Sequence, residues 1–179
     1  MTSEGQKVEK EISSQDENGF RQIVADHSRI LYSHIRSMVL DHDDADDVLQ
    51  NTFIKAWQNL DGFRNQSKIG TWLFRIATNE ALQHLRKQRI RNLFLISSKP
   101  YSGQQAPEFG SNNAEAIKRK LENAMHNLSV QQRMVFGLRY YNDMKYTEMA
   151  EILQLSEGTL KAVYHNAVKK IEKYLMANV

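Results

Sequence analysis

FRNQSKIGTWLFRIATNEALQHLRKQRIR, residues 63–91, sets the reading of the whole chain. A short polar loop, Asn65 to Lys68, runs into a long helical pattern. At about 3.6 residues per turn, Leu73, Ala77, Ala81, His84 and Leu85 gather on one side of the wheel. Arg75, Asn79, Gln83 and Arg86 gather on the other, and Trp72 falls on that polar side. An aromatic ring beside guanidinium groups and an amide, next to a polar loop, suits bases unstacked from a duplex. A solvated basic face with one boundary tryptophan is the alternative.

Charge along the chain bears on that choice. The net charge of +3 over 179 residues is modest. Divided by segment, residues 1–59 hold 11 acids and 6 bases, residues 60–99 hold 2 and 8, and residues 100–179 hold 8 and 10. The excess positive charge therefore sits in the opening stretch, where a polyanion would be met. Composition is globular, at 41% hydrophobic and 25% charged residues, and each half of the chain has material for a modest core. Without cysteine there is no disulfide scaffold, thiolate zinc site or cysteine nucleophile. No apolar run approaches the ~20 residues of a membrane span, and the polar N-terminus is no signal peptide. The expectation is a soluble cytoplasmic protein without membrane insertion, needing no cofactor.

Upstream of the loop, residues 1–17 lack apolar periodicity and read as a disordered tail. Phe20, Ile23, Val24, Ile30, Leu31, Ile35 and Met38 then recur at helical spacing, predicting a helix to about Leu40. His27 and His34 lie on its apolar stripe and read as hydrogen-bonded core or boundary residues, since no third metal ligand is near. Asp41, Asp43, Asp44, Asp46 and Asp47 crowd the start of a second helix, where carboxylates oppose the dipole. A calcium loop would need a glycine where Asp46 stands and a glutamate where Thr52 stands, so it is rejected. Ala45, Val48, Leu49, Thr52, Phe53, Ala56 and Trp57 form the inner stripe of this helix, and Asp47, Gln50 and Ile54 lie outside it. Leu60-Asp61-Gly62 ends it, with Gly62 available for a left-handed stop.

Downstream, residues 93–113 contain both prolines and many Ser, Gly and Gln residues, the composition of a flexible linker. A helix carrying Leu121, Ala124 and Met125 follows. Ser129 and Gln132 then make a capping box for the next. A helix with Met149, Ala150, Ile152 and Leu153, a turn at Gln154-Leu155, and a helix capped by Ser156 together read as a helix-turn-helix. In the last helix, Leu160, Val163, Tyr164, Ala167, Ile171 and Tyr174 form the inner stripe. Gly158, Ala162, His165, Asn166 and Lys169 face away, flanked by Lys161 and Lys173, as a duplex-reading helix requires. Gln154 occupies a turn where glycine is frequent, and Lys145 a helix start that needs another cap. The fold expected is all-α, with two small helical domains joined by the linker: residues 1–17 tail, 18–92 first domain, 93–113 linker, 114–179 second domain.

DADDVLQNTFIKAWQNLDGF (residues 44–63) and FRNQSKIGTWLFRIATNEALQHLR (63–86) resemble region 2 of the extracytoplasmic-function (ECF) sigma factors of bacteria. Residues 128–175, from LSVQQRMVFGLRYY to VKKIEKYL, resemble their region 4. The resemblance implies a subunit that binds core RNA polymerase, on the clamp of the largest catalytic subunit and the flap of the second, and directs it to promoter DNA. It implies polymerase contact at Asp46, Asp47, Gln50 and Ile54. For the melted minus-ten element it implies Asn65, Gln66, Ser67 and Lys68 in the base-holding loop, with Trp72, Arg75, Asn79 and Arg86 beside it. For the minus-thirty-five duplex it implies Gly158, Lys161, Ala162, His165, Asn166 and Lys169. The family often carries arginines where His165 and Asn166 stand, which bears on base preference. An anti-sigma factor is a common further partner.

Two rivals belong to other classes. A DNA-processing enzyme such as a recombinase needs a serine or tyrosine nucleophile among arginines, and the arginines here have no acid pair or metal cluster near them. No catalytic residue is therefore assigned. A helix-turn-helix regulator without sigma activity has no use for a single-strand pocket and an acidic docking helix.

Overall fold

The computed structural model describes residues 17–63, 67–95 and 113–177. The expected tail, most of the expected linker, and Asn65 and Gln66 of the loop lie outside the described residues. Among those described, all regular structure is helical: α1 (Glu17–Val39), α2 (His42–Gln58), a 3-10 turn (Leu60–Gly62), α3 (Ile69–Leu95), α4 (Asn113–His126), α5 (Val130–Tyr140), α6 (Tyr146–Leu153) and α7 (Glu157–Ala177).

The first three helices pack around most of the apolar stripes expected of them, although Ile30 of α1, placed on the inner stripe by its spacing, is exposed. Leu31, Ile35 and Met38 of α1, Ala45, Val48 and Ala56 of α2, and Leu73, Ala77 and Ala81 of α3 are buried together. Of the crowded aspartates only Asp41 caps a helix, its Oδ1 accepting from the Asp44 amide at 3.0 Å. Asp44 instead reaches across to α3, where it pairs with His84 and accepts from Gln88 Nε2 at 3.0 Å. Lys55 of α2 pairs with Glu80 of α3 in the same way. Gly62 departs from expectation: it closes a 3-10 turn with its N–H on Asn59 O, and α2 is stopped by the Asn59 N–H bonding back to Lys55 and Ala56.

His34 is the buried polar centre of this packing. Its Nε2 lies 2.9 Å from Thr78 Oγ1. The Thr78 hydroxyl already donates to Phe74 O at 2.8 Å, so it accepts from His34, which places the ring proton on Nε2. Nδ1 has no partner in the apolar interior. Charging the ring there is costly, and burial lowers the His34 pKa from 6.5 to about 3.

The second group of helices begins with the expected capping box, Ser129 Oγ accepting from the Gln132 amide and Gln132 Oε1 from the Ser129 amide. Ala124, Met125, Leu128, Phe136, Ala167 and Ile171 form a small core joining α4, α5 and α7. The larger core is shared between the two halves. Met134, Val135, Leu138, Met149, Ile152 and Leu160 join the α1–α3 cluster, so each half completes its burial on the other. The modest separate cores expected from composition are thus only part of the packing.

Histidine in the unfolded chain titrates near 6.5, so below that pH the unfolded state takes up a proton that the fold refuses. The contribution of neutral His34 is complete above about pH 7 and declines as pH falls toward 3, by about 2 kcal/mol at pH 5. Urea titrations at pH 7 and pH 5 check this: replacing His34→Gln lowers stability at pH 7 but removes about 2 kcal/mol of the acid-dependent loss. Equal losses in both proteins would refute the assignment.

Candidate nucleic-acid and polymerase interfaces

Three surfaces follow from this packing. On α2, burial of Ala45, Val48, Thr52 and Ala56 turns Asp46, Asp47, Gln50 and Ile54 outward, and all four are exposed. They lie on one face, at steps of one, three and four residues. Asp46 also pairs with His42 at 3.2 Å across the solvent-facing first turn. Trp57, expected on the inner stripe, is 42% exposed and rests edge-on against Phe20 with ring centres 4.9 Å apart. It extends the acidic face with an apolar end that periodicity alone assigned to the core. Its place in the last turn, beside the polar Gln58, was the available signal.

The second surface runs along α3. Leu73, Phe74, Ala77, Thr78 and Ala81 face inward, which leaves Asn79 and Arg86 exposed and Trp72 and Arg75 half-buried on the opposite stripe. Ser67 and Lys68 lie at the helix start, where Lys68 O accepts the Trp72 amide at 3.1 Å. Phe63 precedes the loop and Trp72 follows it, and their rings pack at 5.0 Å. Packed on Phe63, Trp72 is half-buried and does not present a free face. Arg75 is the largest departure from an open basic wall. Its Nη2 donates to Glu151 O of α6 at 3.1 Å, and its Nε is buried without a partner.

The third surface is the two-helix unit α6–α7. Ser156 caps α7, accepting from the Thr159 amide at 3.1 Å. Leu160, Ala167 and Ile171 are buried, and Gly158, Lys161, Ala162, His165, Asn166 and Lys169 are all exposed. The turn is made by Gln154 at φ 54° and ψ 41°, the left-handed conformation that glycine adopts freely. Its side chain compensates in part, donating to Glu151 O at 2.7 Å. Lys145 begins α6 without a side-chain cap, and Glu148 Oε2 supplies one by accepting the Lys145 amide at 3.1 Å. Asp143, two residues before Lys145, pairs with Arg139. Arg139 and Lys161 also lie over the Tyr146 ring, at 5.6 and 5.5 Å.

An acidic face, a basic stripe beside a loop, and a helix-turn-helix with an exposed polar helix are the features of a two-part helical DNA-binding protein. The Sigma-70 region 2 family matches residues 23–91, and the Sigma-70 region 4 family matches residues 118–171. SigW of Bacillus subtilis (strain 168), an ECF RNA polymerase sigma factor, is 27% identical over 177 residues, covering 93% of this chain and 94% of its own. SigL of Mycobacterium tuberculosis (strain ATCC 25618 / H37Rv), another ECF sigma factor, is 28% identical over 155 residues, covering 84% and 85%. Among solved structures, CnrH in complex with the cytosolic domain of CnrY matches with a TM-score of 0.68 at 26% identity, covering 98% of this chain and 96% of that one. RpoE in complex with the anti-sigma factor NepR from Bartonella quintana matches with a TM-score of 0.72 at 25% identity, covering 89% and 98%. This chain belongs to the ECF subfamily of RNA polymerase sigma factors.

Gln154 carries a left-handed cost that glycine does not. Replacing Gln154→Gly raises the unfolding free energy by about 1 kcal/mol, after allowing for the lost bond to Glu151. A lower urea midpoint in that variant would show that the side-chain bond outweighs the backbone strain.

Proposed function

We propose that this protein is an alternative sigma factor that binds core RNA polymerase and starts transcription at specific promoters. The observation that carries the reading is the presence on one chain of three exposed, chemically distinct faces, on α2, α3 and α7. The acidic and apolar face of Asp46, Asp47, Gln50 and Ile54, extended by Trp57, docks on the polymerase clamp. The loop 65–68 captures an unstacked base of the minus-ten element, Asn79 hydrogen-bonds to the exposed strand, and Arg86 holds its backbone. His165 and Asn166 read base edges of the minus-thirty-five duplex while Lys161 and Lys169 hold phosphates, and Gly158 and Ala162 permit close approach.

The protein performs no bond chemistry in this scheme. Unstacking costs a few kcal/mol per base step, which a pocket and phosphate contacts offset. Among the described residues no helix is long and apolar enough to cross a membrane, and the reading places the protein in the cytoplasm with the polymerase. The two solved relatives are held in complexes with CnrY and NepR, which supports an anti-sigma partner for this chain as well.

Gel filtration with core polymerase, followed by run-off transcription across a genomic library, tests the assignment. A stable complex and discrete start sites are expected, and the absence of a complex would sink it. Asn79→Ala impairs promoter opening more than polymerase binding, and His165→Ala chiefly alters minus-thirty-five preference. Loss of polymerase binding by a folded Asn79→Ala protein would show that the surfaces are wrongly divided. On melted DNA, Arg86→Ala reduces the slope of log affinity against log salt by about 0.7, the share of one phosphate contact on a single strand.

A further inference from the structure

The acidic face of α2 begins with a histidine that has two partners for one nitrogen. His42 opens the helix, and its Nδ1 lies 2.9 Å from the Tyr32 hydroxyl of α1 and 3.2 Å from Asp46 Oδ2, one turn along. The Tyr32 ring also meets the imidazole edge-on, with ring centres 5.7 Å apart. Tyr32 packs against the core, so its hydroxyl is a fixed point at the surface. His42 and Asp46 are freer, with side chains 73% and 59% exposed.

One ring nitrogen carries at most one proton, and the two partners differ in what they can do with it. A carboxylate only accepts hydrogen bonds, whereas a phenol also donates. With Nδ1 bare, Tyr32 donates to it and Asp46 meets a lone pair, which leaves that carboxylate free to turn outward. With Nδ1 protonated, the ring donates to Asp46, and when both ring nitrogens are protonated the pair is ionic as well. The other charges near the ring come from three helices. On α2, Asp41, Asp43 and Asp47 are exposed, Asp41 being engaged as the N-cap, while Asp44 is turned away toward His84 and Gln88 of α3. On α1, Arg29 and Arg36 stand one turn either side of Tyr32; Arg29 is exposed, and Arg36 is half-buried near His126 and Tyr141. On α3, Lys87 and Arg91 are exposed on the turns beside Gln88.

We propose that Tyr32 and His42 are positioning residues of the polymerase-docking face: the neutral imidazole, held by the Tyr32 hydroxyl, leaves Asp46 free for a basic partner, and the imidazolium takes Asp46 for itself. The proposal rests on the reading of α2 as the docking surface. Histidine is the side chain whose charge ordinarily changes between about pH 5 and 8. A basic partner favours the neutral ring, so proton uptake by His42 opposes docking. Binding therefore tightens as pH rises from 6 to 8 and loosens on acidification. The pair is exposed, where ion pairs contribute little, so the change is about two- to threefold in dissociation constant and not an all-or-none gate.

Imidazole nitrogen shifts of the isotope-labelled full chain test the arrangement, the His42 signals being identified by their loss in His42→Gln. Nδ1 is unprotonated at pH 8 in the wild type and protonated in Tyr32→Phe, which keeps the ring and removes the donor. A protonated Nδ1 in the wild type at pH 8, or no change in Tyr32→Phe, would overturn it. Titration of core polymerase at pH 8 and pH 6 tests the consequence. Over that range the wild type weakens about two- to threefold more than His42→Gln, a comparison that subtracts every other titrating group. Tyr32→Phe binds about twofold more weakly than the wild type at pH 8 and approaches it at pH 6, whereas a purely structural loss weakens binding equally at both. Equal pH dependence in the wild type and His42→Gln would refute the role in docking. If the wild type binds polymerase at neither pH, the docking reading itself fails, while the nitrogen shifts still decide which partner holds His42.

Discussion

Helix α1 has to be buried on two sides at once, and most of the structure follows from that constraint. One side packs with α2 and α3 and carries His34 into contact with Thr78. The other presents Ser37 to Gly137 of α5, and its Met38 carbonyl accepts from Arg133. A helix exposed on one side would have tolerated a polar stripe there. This one has Leu31, His34, Ile35, Ser37, Met38 and Val39 all buried in its final turns. The single unmatched polar atom within that span, His34 Nδ1, stays unpaired, and the interior tolerates it because the ring remains uncharged.

The electrostatics are arranged by face. Aspartates concentrate on the outside of α2, arginines along α3, and lysines along α7, so surfaces proposed for protein and for DNA have opposite sign. Where polar side chains of α2 and α3 meet, they pair: Lys55 with Glu80, and Asp44 with His84. These pairs tie α2 to α3 and hold the acidic face in a fixed relation to the basic stripe.

Much of this was legible in residue order. The inner stripes of α1, α2, α3 and α7, the Ser129–Gln132 box, the Ser156 cap and the outward set from Gly158 to Lys169 follow from helical period and capping chemistry, which act within a few residues of sequence. Departures arose where a residue took a partner that helical period does not specify, whether distant, as for Asp44 and Trp57, or a few residues away, as for Asp143 and Lys145. Asp44 left the helix start for His84, Asp143 turned to Arg139, Lys145 was capped by Glu148, and Trp57 left the inner stripe for Phe20.

By itself the sequence determined the helical segments of the described residues, most of the sides that turn inward, and which polar residues are left outside, because amphipathic periodicity is a local property. Only the tertiary structure decided that the two halves share a core. That outcome depends on Gly137 lying opposite Ser37, on Arg133 reaching Met38 O and on Arg75 reaching Glu151 O. Those partners are 76 to 100 residues apart in the chain, and no repeat or spacing marks them as neighbours. A helix period specifies the direction in which a side chain points, and only packing specifies what it meets.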